Sequence, residues 1–257
     1  MVEYDEKLAR LTERGYLMPE IAYQRSRTML ALNLQAGEHV LDAGCGMGLM
    51  SQDIALTVGP TGRVVGIDNS QPMLELARNR CRDLPQIEFK SDSVEQLGDK
   101  SNSFDAAVCG QLLLYLPDVP KALAEFYRVL KPSGRIAIIE TDWRSVLLNT
   151  NNEALKDRLF ADWEASIPSP HLPGRLRGLL LEAGFSAVKI EAIPIINTCY
   201  LDNNYSTSMV HYMLDSQLSA ETVLPDQADK FLEDLKKRSV ENDYFFCVNR
   251  FLFTAVK

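Results

Sequence analysis

Residues able to do chemistry cluster early in the chain, in Val40-Leu41-Asp42-Ala43-Gly44-Cys45-Gly46-Met47-Gly48. Glycine lets a backbone turn sharply and lets a ligand approach the main chain, so Gly44 and Gly46 suit a loop that carries a ligand on its peptide groups. A dinucleotide fingerprint would need its next glycine three residues after Gly46, where Leu49 stands. A phosphate-cradling loop would need Gly-Lys-Ser/Thr, and none follows. A second acid, Asp68, closes the next apolar run 20 residues beyond Gly48. A carboxylate there can accept both hydroxyls of a ribose, and the same side chain would also serve as a helix cap. Cys45, between two glycines, has the size of a packing residue in a tight loop.

These groups need a scaffold, and the flanking pattern supplies one. HVLDAG predicts a strand, GLMSQDIALTV a helix and RVVGID a second strand. Ser70 can cap a helix with Met73, Leu74, Ala77 and Cys81 on one face and Pro72 in its first turn. QIEFK and FDAAVCG read as strands, VPKALAEFYRVL as a helix behind Asp118, and GRIAIIE as a strand after the breaker Lys131-Pro132-Ser133-Gly134. FSAVKIEAIPI and YFFCVNRFLFTAVK, rich in β-branched and aromatic residues, complete the set. Strands apolar on both faces and alternating with helices imply an α/β doubly wound sheet, with a ligand crevice at the strand C-termini. A single domain over 1–257 is expected. Its parts are a helical lid (1–36), a core (37–142), inserts at 143–171 and 202–241, and a final helix and strands (172–201 and 242–257).

VLDAGCGMG followed by VVGIDNSQPMLELAR resembles motifs one and two of the class I S-adenosylmethionine-dependent methyltransferases, particularly the type-11 or UbiE-like small-molecule branch. FKSDSVEQL resembles the adenine-binding turn of that family, and the segment from FDAAVCG to RIAIIE its next strand–helix–strand unit, so four motifs occur in order over residues 37–140. The resemblance implies a seven-stranded Rossmann-like sheet, mostly parallel with an antiparallel last strand, plus helical lid elements. It implies S-adenosyl-L-methionine as cofactor. Gly44, Cys45 and Gly46 would pass its methionine part, with Asp42 near the ammonium group. Asp68 would bind the ribose hydroxyls, Asn69 and Met73 would pack beside ribose and adenine, and Asp92 with Ser93 would flank the adenine. Gln111 would lie near the methionyl end, and Arg27 would reach the cofactor carboxylate; Asp92 also suits a plain turn, and Arg27 a solvated surface.

Methyl transfer from a sulfonium is an in-line displacement. Alignment can supply roughly 7–11 kcal/mol of the barrier, whereas a general base adds about 10²–10⁴-fold. A base is therefore optional. Candidates lie in the decorations: Asp142, just past the last core strand; His171, a proton acceptor near neutral pH or else a loop residue; and Tyr23. Tyr23, Tyr16 and Tyr4 could cover the site, and Tyr16 and Tyr23 would share a face of a continuous helix. His39 and His211 read as structural.

Composition narrows the partners. The 27 Lys and Arg against 35 Asp and Glu leave a net charge of −8, the opposite of a nucleic-acid footprint. The adenine-methyltransferase signature is replaced by Cys109-Gly110-Gln111-Leu112, and the two-glutamate loop of protein arginine methyltransferases is absent. Five scattered cysteines without a CxxC pair offer no metal site and suggest reduced thiols in a cytoplasmic protein. No apolar run has membrane-spanning length. The expected activity is methylation of an oxygen, nitrogen or carbon of a small molecule, in secondary or specialised metabolism. A quinone-precursor methyltransferase, a nicotinamide-dependent oxidoreductase and an inactive cofactor-binding protein are the alternatives. The expected partner is the methyl acceptor; a homodimer remains open.

Overall fold

The computed structural model describes residues 15–257, and its helices and strands mostly alternate from Pro19 to the fifth strand. The elements are α1 (Pro19–Leu32), β1 (His39–Ala43), α2 (Leu49–Val58), β2 (Arg63–Asp68), α3 (Gln71–Arg80), β3 (Ile87–Ser91), β4 (Phe104–Gly110), a 3₁₀ turn (Leu113–Tyr115), α4 (Val119–Val129) and β5 (Leu130–Leu148). Then come α5 (Glu153–Ala165), α6 (Pro173–Glu182), β6 (Ser186–Asn197), α7 (Tyr205–Ser219), α8 (Pro225–Val240) and β7 (Phe246–Val256). Local chemistry sets the boundaries. Ser70 accepts the Met73 N–H at the start of α3, and Asp118 accepts the Lys121 N–H at the start of α4. α4 buries Val119, Ala122, Leu123, Phe126 and Val129, the helical period visible in its sequence.

The seven strands form one sheet in the order β3-β2-β1-β4-β5-β7-β6. All pairs are parallel except those made by β7, which runs antiparallel to both β5 and β6. Successive residues of β1 feed different cores: Val40 packs with Ile54, Val64 and Ile139, while Leu41 packs with Leu114, Phe126 and Phe253. Burial on both faces explains the near-continuous apolar runs of β2 and β4.

One expectation is revised. Lys131-Pro132-Ser133-Gly134 does not separate α4 from the next strand; it is a bulge within β5. The register jumps from Phe104↔Leu130 to Ala106↔Arg135, and Ser133 takes φ 64°. Backbone hydrogen bonds to Lys257 at the end of β7 hold the bulge in the sheet. Beyond the predicted strand, β5 continues past Asp142 to Leu148, with a second register shift against β7. Among the described residues no helix is long and apolar enough to cross a membrane.

The glycine loop is packed tightly where it enters α2. Gly48 has φ +79°, and a Cβ there would meet Ala77 Cβ at 3.0 Å and Ala77 Cα at 3.1 Å. Left-handed backbone costs an ordinary residue about 1–2 kcal/mol, and overpacking adds roughly 1–3 kcal/mol. Gly48→Val should therefore lower the unfolding free energy by about 2–5 kcal/mol in urea denaturation; a change within about 0.5 kcal/mol would show that the contact is relaxed elsewhere.

Candidate functional site

The order of the strands reverses between β1 and β4, and a cavity of about 460 Å³ opens there at their C-terminal ends. Asp42, Gly44, Cys45 and Gly46 line it from β1 and its loop, Asp68, Asn69 and Met73 from β2 and α3, Asp92 and Ser93 from the turn after β3, and Gln111 from the end of β4. A Cβ on Gly46, at φ +50°, would meet nothing within 4 Å, so the loop presents bare backbone toward open space. Gly44 is closed instead: a Cβ there would stand 2.9 Å from the Leu112 side chain.

Asp68 organises the crevice. Its Oδ2 accepts the Gly46 N–H at 2.9 Å and its Oδ1 the Ser70 N–H at 2.9 Å, so one carboxylate ties the glycine loop to the start of α3. The Asn69 N–H also favours the Asp68 carboxylate, and of the roughly four acceptor sites of a carboxylate, capacity remains for a ligand. Burial pushes its carboxyl above the usual range, against the pull of these N–H groups. Asp42 is 3% exposed and accepts the Ser51 hydroxyl at 2.5 Å; burial pushes it up to about 7. A cationic ligand group beside Asp42 would favour its ionised form. Asp92 accepts N–H groups of Ser93 (2.8 Å) and Gly98 (3.1 Å), a turn residue that also lines the cavity. Burial pushes the Cys45 thiol well above its ordinary range, which makes it a neutral packing group.

Gln111 takes φ 53°, an uncommon conformation for a glutamine. Its amide donates to the Ile139 carbonyl at 3.1 Å and accepts the Thr141 hydroxyl at 2.6 Å, so β5 fixes its orientation. Next to it, the fully buried Glu140 accepts the N–H groups of Leu112 (3.1 Å) and Leu113 (2.8 Å), fastening the turn after β4. Burial pushes Glu140 up to about 8, although Arg250 and these N–H groups pull it down.

Other expected site residues lie elsewhere. Arg27 lies outside the cavity lining and forms a two-point ion pair with Glu191 of β6. Arg25 takes the cavity wall instead, bonded to Asp53 at 2.7 Å. Buried Ile21, Gln24 and Thr28 mark the inner face of α1, and position 25 adjoins that face whereas 27 does not. Tyr23 is 59% exposed on the outer face of α1, and the chain turns at residues 17–18, so Tyr16 does not share its helix. Tyr16 lines the cavity; Tyr4 lies outside the described residues. His171 stands between two carboxylates, Nδ1 3.4 Å from Asp142 and Nε2 3.3 Å from Glu164. Partial burial opposes the charge on Asp142, but its two-point pairing with Arg144 prevails and holds it below the ordinary carboxylate range. Neither His171 nor Asp142 lines the cavity. Gln24 and Tyr115, which do, carry no motif in the sequence.

Sheet order, glycine loop and the carboxylate closing β2 together define the class I S-adenosylmethionine-dependent methyltransferases, and the chain belongs to that family. Residues 40–134 match the family model described as a methyltransferase domain. Demethylmenaquinone methyltransferase of Listeria monocytogenes is 39% identical over 206 residues, covering 73% of this chain and 82% of that protein. The enzyme of the same name from Oceanobacillus iheyensis is 40% identical over 128 residues, 47% of this chain and 54% of its own length. The chain spans about half the length of several curated relatives that it matches. Among solved structures, phosphoethanolamine N-methyltransferase 2 of Haemonchus contortus, in complex with S-adenosyl-L-methionine, has a TM-score of 0.66 at 18% identity. The match covers 99% of this chain and 57% of that one, and is a likeness of fold. The residues present fit the family's cofactor, S-adenosylmethionine: open backbone at Gly46, remaining acceptor capacity on Asp68 and a buried acid at Asp42.

The buried acids predict how stability depends on pH. Glu140 titrates at about 8 in the folded chain and Asp42 at about 7, both above their unfolded values. Their contributions are complete below about pH 4 and are lost as pH rises through those folded values. Thermal melting should therefore fall between about pH 5 and 9, and less steeply in Glu140→Gln, which keeps an oxygen for Leu112 and Leu113. Equal slopes for the two proteins would assign the decline to other groups.

Proposed function

We propose that the chain transfers the methyl group of S-adenosylmethionine to a small-molecule nucleophile, with alignment supplying most of the rate. The observation that carries this reading is the single crevice in which Asp42, the glycine loop, Asp68, Asp92 and Gln111 converge. In this reading Asp68 accepts the ribose hydroxyls, Asn69 and Met73 flank ribose and adenine, and Asp92 with Ser93 borders the adenine. Asp42 lies toward the ammonium group, Gly44 and Gly46 pass the methionine part along their backbone, and Gln111 faces the methionyl end. The cofactor supplies an activated methyl group. The chain binds it, excludes water with α1 and aligns the acceptor. Placement supports alignment over base catalysis, since His171 lies between two carboxylates and does not line the cavity.

A second reading of the acceptor, a demethylated quinol, is favoured by the 39% identity with the Listeria demethylmenaquinone methyltransferase. Methyl transfer to such a quinol in a direct assay would establish it.

Calorimetry tests the cofactor assignment. Loss of charge-assisted hydrogen bonds costs about 1.5–3 kcal/mol, so Asp68→Ala should weaken S-adenosylmethionine binding roughly 10–100-fold. Unchanged affinity would remove Asp68 from the cofactor site. His171→Ala should lower turnover less than about tenfold with cofactor affinity intact; a loss of about 10²–10⁴-fold would make His171 the general base.

A further inference from the structure

A second cavity, of about 330 Å³, lies between α5 and α7 at the turn after β4. Tyr115 lines both this cavity and the cofactor crevice, so one aromatic side chain forms their common wall. Tyr115 follows the C-terminal end of β4, the end of the sheet at which an acceptor must stand to meet a methyl group held there.

The lining is specific. Trp163 packs edge-on against Tyr212 (5.7 Å between ring centroids) and against Trp143 (5.4 Å), which fixes the indole in place. Buried Leu159 and Met213 complete an apolar floor. Among the described residues, Asp162 is the only charged side chain of the lining, and none of them contributes a lysine, arginine or histidine. Among the described residues its carboxylate forms no ion pair or side-chain hydrogen bond, and it sits exposed at the rim. An anionic ligand would meet a like charge there with no cation to offset it. A cation would find a carboxylate and the negative faces of Tyr115, Trp163 and Tyr212.

We propose that this second cavity is the acceptor site and that it takes a small organic amine. The carbon skeleton lies against Trp163, Tyr212 and Tyr115, and the ammonium group pairs with Asp162 on binding. For transfer it gives one proton to solvent at the exposed rim; the freed nitrogen lone pair forms the new N–C bond as the S–CH3 bond breaks, and the sulfur keeps that bond's electron pair in S-adenosylhomocysteine. The assignment rests on the methyl-transfer reading above. A quinol would use the same aromatic walls but would bring no positive charge to Asp162, so charge separates the two acceptors.

The test compares three probes that share one phenethyl group, phenethylamine, 2-phenylethanol and 3-phenylpropionate, titrated by calorimetry into the full chain saturated with S-adenosylhomocysteine at pH 7.5. Phenethylamine should bind about tenfold more tightly than the alcohol and more tightly still than the acid. Asp162→Asn, a surface change, should reduce the amine to the affinity of the alcohol and leave S-adenosylhomocysteine binding unchanged. Tyr212→Leu should weaken amine and alcohol alike. Equal or tighter binding of alcohol or acid, an unaffected Asp162→Asn, or no binding of any probe beside normal S-adenosylhomocysteine binding would each overturn the amine assignment. Failure of the wild-type chain to bind S-adenosylhomocysteine would overturn the cofactor reading, and this proposal with it.

Discussion

Reversal of strand order at β1 is the constraint on which the rest of the molecule depends. From β1 the chain winds outward through β2 and β3, returns to place β4 on the other side of β1, and winds outward again through β5. Right-handed crossovers force the covering helices of the two halves onto opposite faces of the sheet. The loops leaving β1 and β4 therefore diverge, and the gap between them cannot be filled by either half. Backbone groups at the strand ends face that gap. The glycine loop, the carboxylate of Asp68 and the amide of Gln111 are what the chain places there.

Charge burial is the cost of that arrangement. Asp42, Asp68 and Glu140 are all pushed toward the neutral acid by loss of water. Each is partly compensated by donors that shape the site: Ser51 for Asp42, Gly46 and Ser70 for Asp68, Leu112 and Leu113 for Glu140. Through Glu140 the turn after β4 is fixed, and through that turn Leu112 closes on Gly44. The same acids that oppose folding at high pH thus set the shape of the crevice, a trade common at functional sites.

Much of the fold was legible in the sequence because it is locally encoded: apolar runs for buried strands, Ser70 and Asp118 as caps, and a helical period in α4. The residues gathered in the cavity between β1 and β4 were legible where they sit in contiguous motifs, as in the glycine loop and at Asp68. Features set by distant partners were not. Lys131-Pro132-Ser133-Gly134 has turn chemistry, and its pairing with Lys257, beside the β4 and β7 partners of Leu130 and Arg135, keeps it inside β5. The left-handed backbone of Gln111 has no residue signal, being imposed by bonds to β5. Arg25 rather than Arg27 at the cavity wall was readable in principle from the period of α1. The second cavity joins residue 115 to residues near 163 and 212, a convergence that no local pattern announces.

The placement of β7 has a consequence for biosynthesis. β7 follows β6 in the chain yet inserts between β5 and β6, and among the described residues β6 has no other strand neighbour. While the polypeptide is being made, β5 and β6 must wait with unsatisfied edges until residues 246–256 leave the ribosome. The cofactor half can form long before then. A nascent chain paused ahead of β7 would expose two open edges, which makes it a ready client for chaperones and a hazard for aggregation.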